Sequence, residues 1–133
     1  MRRVLASFVL VAAAATFAAG CGGSDRTSPN ADRVAWSALS PDEKATFEYV
    51  IPYGTGVSLD AGQKVSIMPT SLQAHVGDSI RIVNKDYRNM EVGPFYVRAN
   101  QTLAMRFTTP GTLIGSCSIS PDGQITIDVT PAP

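Results

Sequence analysis

Apolar and polar residues alternate with a period of two along much of the second half of the chain. Ile80 and Ile82 flank Arg81, and Ile125, Ile127 and Val129 are separated by Thr126 and Asp128. Such alternation places one face of an extended segment in a core and the other in water. It predicts strands over residues 72–76 and 79–84, joined through Gly77-Asp78, and over 124–129. β-Favouring runs bounded by Gly, Pro and Asp add strands at 65–69, 91–97, 102–108 and 112–116, and residues 47–51 read the same way before Pro52. About seven strands at this spacing predict an all-β protein, a β-sandwich. One helical signal precedes them. Ser40 suits an N-cap, Pro41 the first turn and Glu43 a capping box, which predicts one or two helical turns with Trp36 and Leu39 packed just ahead.

The N-terminal residues follow a different pattern. Arg2 and Arg3 precede an uncharged, Ala-rich run from Val4 to Ala19. The run is short for a membrane span, which takes about 20 apolar residues, and suits an export signal. It ends in Ala18-Ala19-Gly20-Cys21, which resembles a bacterial lipobox with Ala18 in the usual leucine position. That reading makes 1–20 a lipoprotein signal peptide and Cys21 the lipidated residue. Residues 21–33 become a Gly-, Ser- and Asn-containing tether, and 34–133 one domain with its core at about 47–130. The protein is then exported and held on the extracytoplasmic side by its lipid. The alternatives are an ordinary cleaved signal with Cys21 as an incidental thiol, or an uncleaved anchor.

Charge excludes one class of function. Without residues 1–20 the chain keeps 9 basic residues against 11 acidic ones, a net charge of −2. It has no basic patch for nucleic acid and no run of like charges. Two cysteines are few for an exported protein. If Cys21 carries lipid, Cys117 has no partner within the chain for a disulfide. It packs then as a small hydrophobe or serves as a thiol site.

Three segments, in order and spacing, resemble the cupredoxin (plastocyanin-like) family. They are Val76-Gly77-Asp78-Ser79-Ile80-Arg81-Ile82-Val83-Asn84-Lys85-Asp86, then Phe107-Thr108-Thr109-Pro110-Gly111-Thr112 leading to Cys117, and Gly123-Gln124-Ile125-Thr126-Ile127-Asp128-Val129. The resemblance implies a Greek-key sandwich with a copper-binding end made by two loops. Its thiolate position falls on Cys117, its first histidine on Met90 and its second on Ser120, and no axial methionine stands before Gly123. A type 1 centre needs two imidazoles beside the thiolate. The chain has one histidine, His75, and the alternation of Leu72, Ala74 and Val76 turns it to the polar face.

The reading is therefore a membrane-anchored binding or accessory module with vestigial copper positions at Met90, Cys117 and Ser120 and no cofactor. The alternative is a copper-binding or electron-transfer protein with altered ligation, a soft Cu(I) site of Cys117 and Met90 with Met68, Met105 or a partner as third ligand. A protein partner is expected at the former copper end, near Tyr87-Arg88-Asn89-Met90 and Gly93-Pro94-Phe95-Tyr96, although Phe95 and Val97 have an equal claim on the core. No enzyme is expected. No Ser-His-Asp or Cys-His arrangement is available, and Gly54-Thr55-Gly56 lacks the Lys-Ser/Thr of a phosphate loop.

Overall fold

The structure is a computed structural model that describes residues 35–133. The signal segment, Cys21 and the tether to residue 33 lie outside the described residues. The chain runs β1 (Trp36–Ala38), β2 (Phe47–Ile51), α1 (Thr55–Asp60), β3 (Ser71–His75), β4 (Ser79–Asn84), β5 (Met90–Val92), β6 (Phe95–Val97), β7 (Thr102–Phe107), β8 (Gly111–Ser116) and β9 (Gln124–Thr130). One sheet has the order β1-β7-β4-β2 and the other β3-β9-β8. The β5–β6 hairpin joins the open side of β8, where Val92 bridges Cys117 and the Ser118 amide donates to the Glu91 carbonyl.

Alternation explains the layers. Leu72 and Ala74 of β3, Ile80 and Ile82 of β4, and Ile125, Ile127 and Val129 of β9 are buried between the sheets, while Gln73 and His75 face water. The connections β2–β3, β3–β4, β4–β5, β6–β7 and β7–β8 each pass between sheets, and β2 runs parallel to β4 and β3 to β9. This is the Greek-key all-β sandwich expected from the sequence, with nine strands in place of about seven.

Four local expectations are corrected. The 40–45 segment is a turn, not a helix, and the short helix follows β2 instead of preceding the strands. Glu43 N–H does reach the Ser40 carbonyl, but the Arg81 guanidinium then takes the carbonyls of Ser40, Pro41 and Glu43. A helix would need the Ser40 and Pro41 carbonyls for its own next amides. α1 forms where the sequence gives little helical signal because tertiary contacts hold it. The buried Asp86 carboxylate accepts from the Gly56 amide (2.6 Å), and Arg88 reaches the Gly56 carbonyl and pairs with Asp60.

Residues 65–69 are not a strand. The amides of Ile67 and Met68 both donate to the Ile119 carbonyl, and the rest of the segment makes no ladder. The expected strand over 91–97 is two strands turning at Gly93-Pro94, with Gly93 at φ 59°. Gly93 lies so close to β8 that a Cβ on Gly115 would stand 2.8 Å from its backbone, which only glycine permits.

Candidate functional site

The two ends of the sandwich are chemically distinct, and the candidate residues sit at one of them. β4 ends at Asn84, whose side-chain amide donates to the carbonyls of Arg88 (2.8 Å), Val97 (3.2 Å) and Arg98 (3.2 Å). Its carbonyl oxygen accepts from the Asp86 amide at 2.9 Å. One buried amide thus fixes the 85–89 loop against the turn that follows β6. Asp86 adds a second clamp by accepting from Gly56 and Tyr87 amides through its two oxygens. Buried polar groups that are fully paired in this way hold loops rigidly.

The 117–123 loop closes on itself. The Cys117 amide donates to Gly123, the Gly123 amide to Ser120, and the Ser120 amide to Cys117 (3.4 Å). The Ser120 hydroxyl donates to the Gln124 carbonyl at 2.6 Å and lies 3.3 Å from that of Cys117. Ile119 is buried and points the middle of the loop into the core, while its carbonyl receives the amides of Ile67 and Met68.

Met90, Cys117 and Ser120 are brought together at one end of the sandwich. All three line one open cleft of about 570 Å³, with Met90 and Cys117 buried in its floor. Its walls come from Leu59, Gln63 and Lys64 after α1, from Arg88 and Glu91, and from Tyr96 of β6. Met68 lies on the segment bonded to Ile119, next to this loop. Met105 does not; it pairs with Ile80 at the opposite half of β4 and belongs to the core.

His75 is elsewhere. It is exposed at the end of β3 opposite Thr130, six residues along β9 from Gln124, which is about 20 Å at strand rise. Its Nδ1 stands 3.5 Å from Asp78. The tip segment splits: Tyr96 opens to the cleft, whereas Phe95 is buried under the edge of Trp36, with ring centroids 5.3 Å apart. Phe95 and Val97 are core.

These donors do not fit a type 1 copper centre. Beside the Cys117 thiol the cleft offers the Met90 thioether and the Ser120 hydroxyl, which is committed to Gln124, and the chain's one imidazole, His75, lies at the other end. Among the described residues no group of three or more His, Cys, Asp or Glu side chains converges.

Sequence reasoning missed the wall of the cleft made by residues 59–64, since nothing in their order announces that they approach the Cys117 loop. Tyr96 was legible, because it alternates with buried Phe95 and Val97. The sequence also gave no sign that Tyr53 and Tyr87 meet. Their rings lie 5.9 Å apart on adjacent turns, and both are exposed, by 77% and 53%.

No family model and no curated protein matches this chain. Solved structures of amicyanin are similar to it. Amicyanin from Paracoccus versutus is 13% identical, with a TM-score of 0.45 over 73% of this chain and 99% of that one. A variant of amicyanin in its Cu(I) form is 15% identical, with a TM-score of 0.45 over 71% and 97%.

Proposed function

We propose that this protein is an exported, lipid-anchored binding or accessory module whose cupredoxin-like sandwich has no type 1 copper and no catalytic role. The observation that carries this reading is Ser120. Its hydroxyl closes the 117–123 loop through Gln124, so the loop is held by side-chain hydrogen bonding and does not depend on a metal. Met90 fills the other imidazole position as a buried apolar side chain. What remains is a preformed cleft of mixed polar and apolar lining, of a size typical for small-ligand or side-chain recognition.

Two measurements test the reading. Purified protein mixed with Cu(II) is expected to stay colourless, while Met90→His combined with Ser120→His gains the intense blue absorption of a thiolate–imidazole centre. A blue wild-type protein overturns the proposal. In cells, a tagged fatty acid is expected to label the chain through Cys21, with the label lost in Cys21→Ser; a label that persists or never appears removes the anchor.

A second reading is supported by Cys117 and Met90 lining the same cleft. Thiolate and thioether together suit Cu(I), and Met68, whose amide donates to the Ile119 carbonyl, is the candidate for a third sulfur. A Cu(I) competition titration decides it, because affinity unchanged by Cys117→Ser leaves no soft site.

A further inference from the structure

Tyr53 and Tyr87 meet because their backbones are fastened to each other on both sides. The Lys85 amide donates to the carbonyl of buried Ile51 at 2.9 Å, so each tyrosine lies two residues beyond the same bond. Pro52 to Thr55 then forms a turn, in which the Thr55 amide and hydroxyl both donate to the Pro52 carbonyl, at 3.3 and 2.7 Å. Beyond the turn the Gly56 amide donates to Asp86 Oδ2, while Oδ1 of that buried carboxylate accepts from the Tyr87 amide. On backbones held in this way the two ring centroids stand 5.9 Å apart, with the planes tilted by 58°. That separation is ordinary ring-to-ring contact.

The groups that would compete for an oxidant are shielded. Among the described residues the Cys117 thiol and the thioethers of Met68, Met90 and Met105 are buried, whereas the paired phenols are open to water. The chain has four tyrosines. Tyr49 is half-buried, and exposed Tyr96 has no ring against it among the described residues. Trp36 is the other exposed oxidisable ring, and it packs on Phe95, which carries no phenol. Tyr53 and Tyr87 are thus the one place where two exposed phenols touch.

We infer that Tyr53 and Tyr87 form an oxidative cross-linking site, which a peroxide-driven one-electron oxidant closes into a dityrosine staple. Each phenol gives up one electron and its hydroxyl proton. A bond forms between one Cε of each ring, and the hydrogen on each joined carbon moves to the phenol oxygen. The protein loses two hydrogens, and those two electrons and two protons convert one hydrogen peroxide into two waters. The staple fastens the segment leading into α1 to the 85–89 loop, whose Arg88 lines the cleft. Coupling within one chain prevails over coupling between chains. Even loosely tethered groups meet at an effective concentration of about 1 mM, roughly a thousandfold above protein at about 1 μM. The inference is independent of how the chain is anchored.

Its test treats the purified full chain, at micromolar concentration, with peroxidase and hydrogen peroxide. The expected product is a monomer lighter by two hydrogens, with biphenol fluorescence and a proteolytic fragment that joins the peptides of Tyr53 and Tyr87. Tyr53→Phe and Tyr87→Phe keep the rings but remove a coupling phenol, and each is expected to abolish the product. Tyr96→Phe is expected to leave it unchanged. The stapled protein is expected to unfold at higher urea than the untreated one, as a covalently closed loop does. A product that is mainly dimer, a product that survives Tyr53→Phe, or no cross-linked product at all overturns the inference. An unchanged urea midpoint of the cross-linked monomer overturns the staple.

Discussion

The cleft end of this sandwich and the segment by which the chain enters it are built by opposite means. At the cleft end, buried Asn84 and Asp86 tie three loops together through backbone carbonyls and amides, and Ser120 closes a fourth. In the entry segment, residues 35–46 are held mainly from the surface. Arg81 grips the 40–43 turn, and Arg106 pairs with Glu43 and donates to the Gly77 carbonyl. β1 itself has three residues, all exposed. The contrast teaches that buried, fully paired polar side chains are concentrated around the cleft. The entry segment is attached by water-accessible contacts, which are individually weak and screened by salt.

The contrast is sharpest at Asn84. Asn84→Ala leaves the carbonyls of Arg88, Val97 and Arg98 without their shared donor and is expected to destabilise the domain by about 2–4 kcal/mol in urea unfolding. A loss under 1 kcal/mol, by the same scale, would mean water replaces the amide and the end is not rigid. Gly115→Ala follows, at about 1–3 kcal/mol, because its methyl group meets the Gly93 backbone and not a movable side chain. On the other side of the comparison, Arg81→Ala is expected to cost about 1–2 kcal/mol. Its signature is local: amide exchange over residues 35–46 accelerates while that of Asn84 to Met90 stays slow. Uniform acceleration would show that the two ends unfold as one.

The smallest expected effect concerns pH. Asp128 of β9 accepts from Gln73 of β3 and Thr112 of β8, a row across the outer face of the second sheet. Those hydrogen bonds, Gln73 first, hold its carboxyl below the ordinary carboxylate range. A group lowered on folding stabilises the native state above its unfolded-state pKa and loses that contribution as pH falls through the folded value. Wild type is therefore expected to lose slightly more stability than Asp128→Asn between about pH 6 and about pH 3. Equal losses in the two proteins would show that the row contributes nothing.

Period-two alternation placed β3, β4 and β9, and β-favouring runs between turn residues placed β7 and β8, each to within a residue or so. Met90, Cys117 and Ser120, singled out in the sequence, line one cleft. The failures share a cause. α1, with two polar caps supplied by Asp86 and Arg88, has no signal of its own in Thr-Gly-Val-Ser-Leu-Asp. Ser40-Pro41-Asp42-Glu43 has a good helical signal and yet forms a turn, because a guanidinium 38 to 41 positions away takes its carbonyls. β1 is too short and too exposed to alternate at all.

The order of residues by itself determined which faces are apolar, hence the strands and the two-layer core, and it determined the donor set, since one histidine cannot supply two imidazoles. Only the folded chain decided where those donors stand, that Ser120 bonds to Gln124, that two tyrosines meet, and that the entry of the chain and the cleft lie at opposite ends. The reason is physical. Burial patterns are set by neighbours two residues apart, whereas hydrogen bonds from Asn84, Asp86 and Arg81 join segments whose separation along the chain carries no trace of their approach.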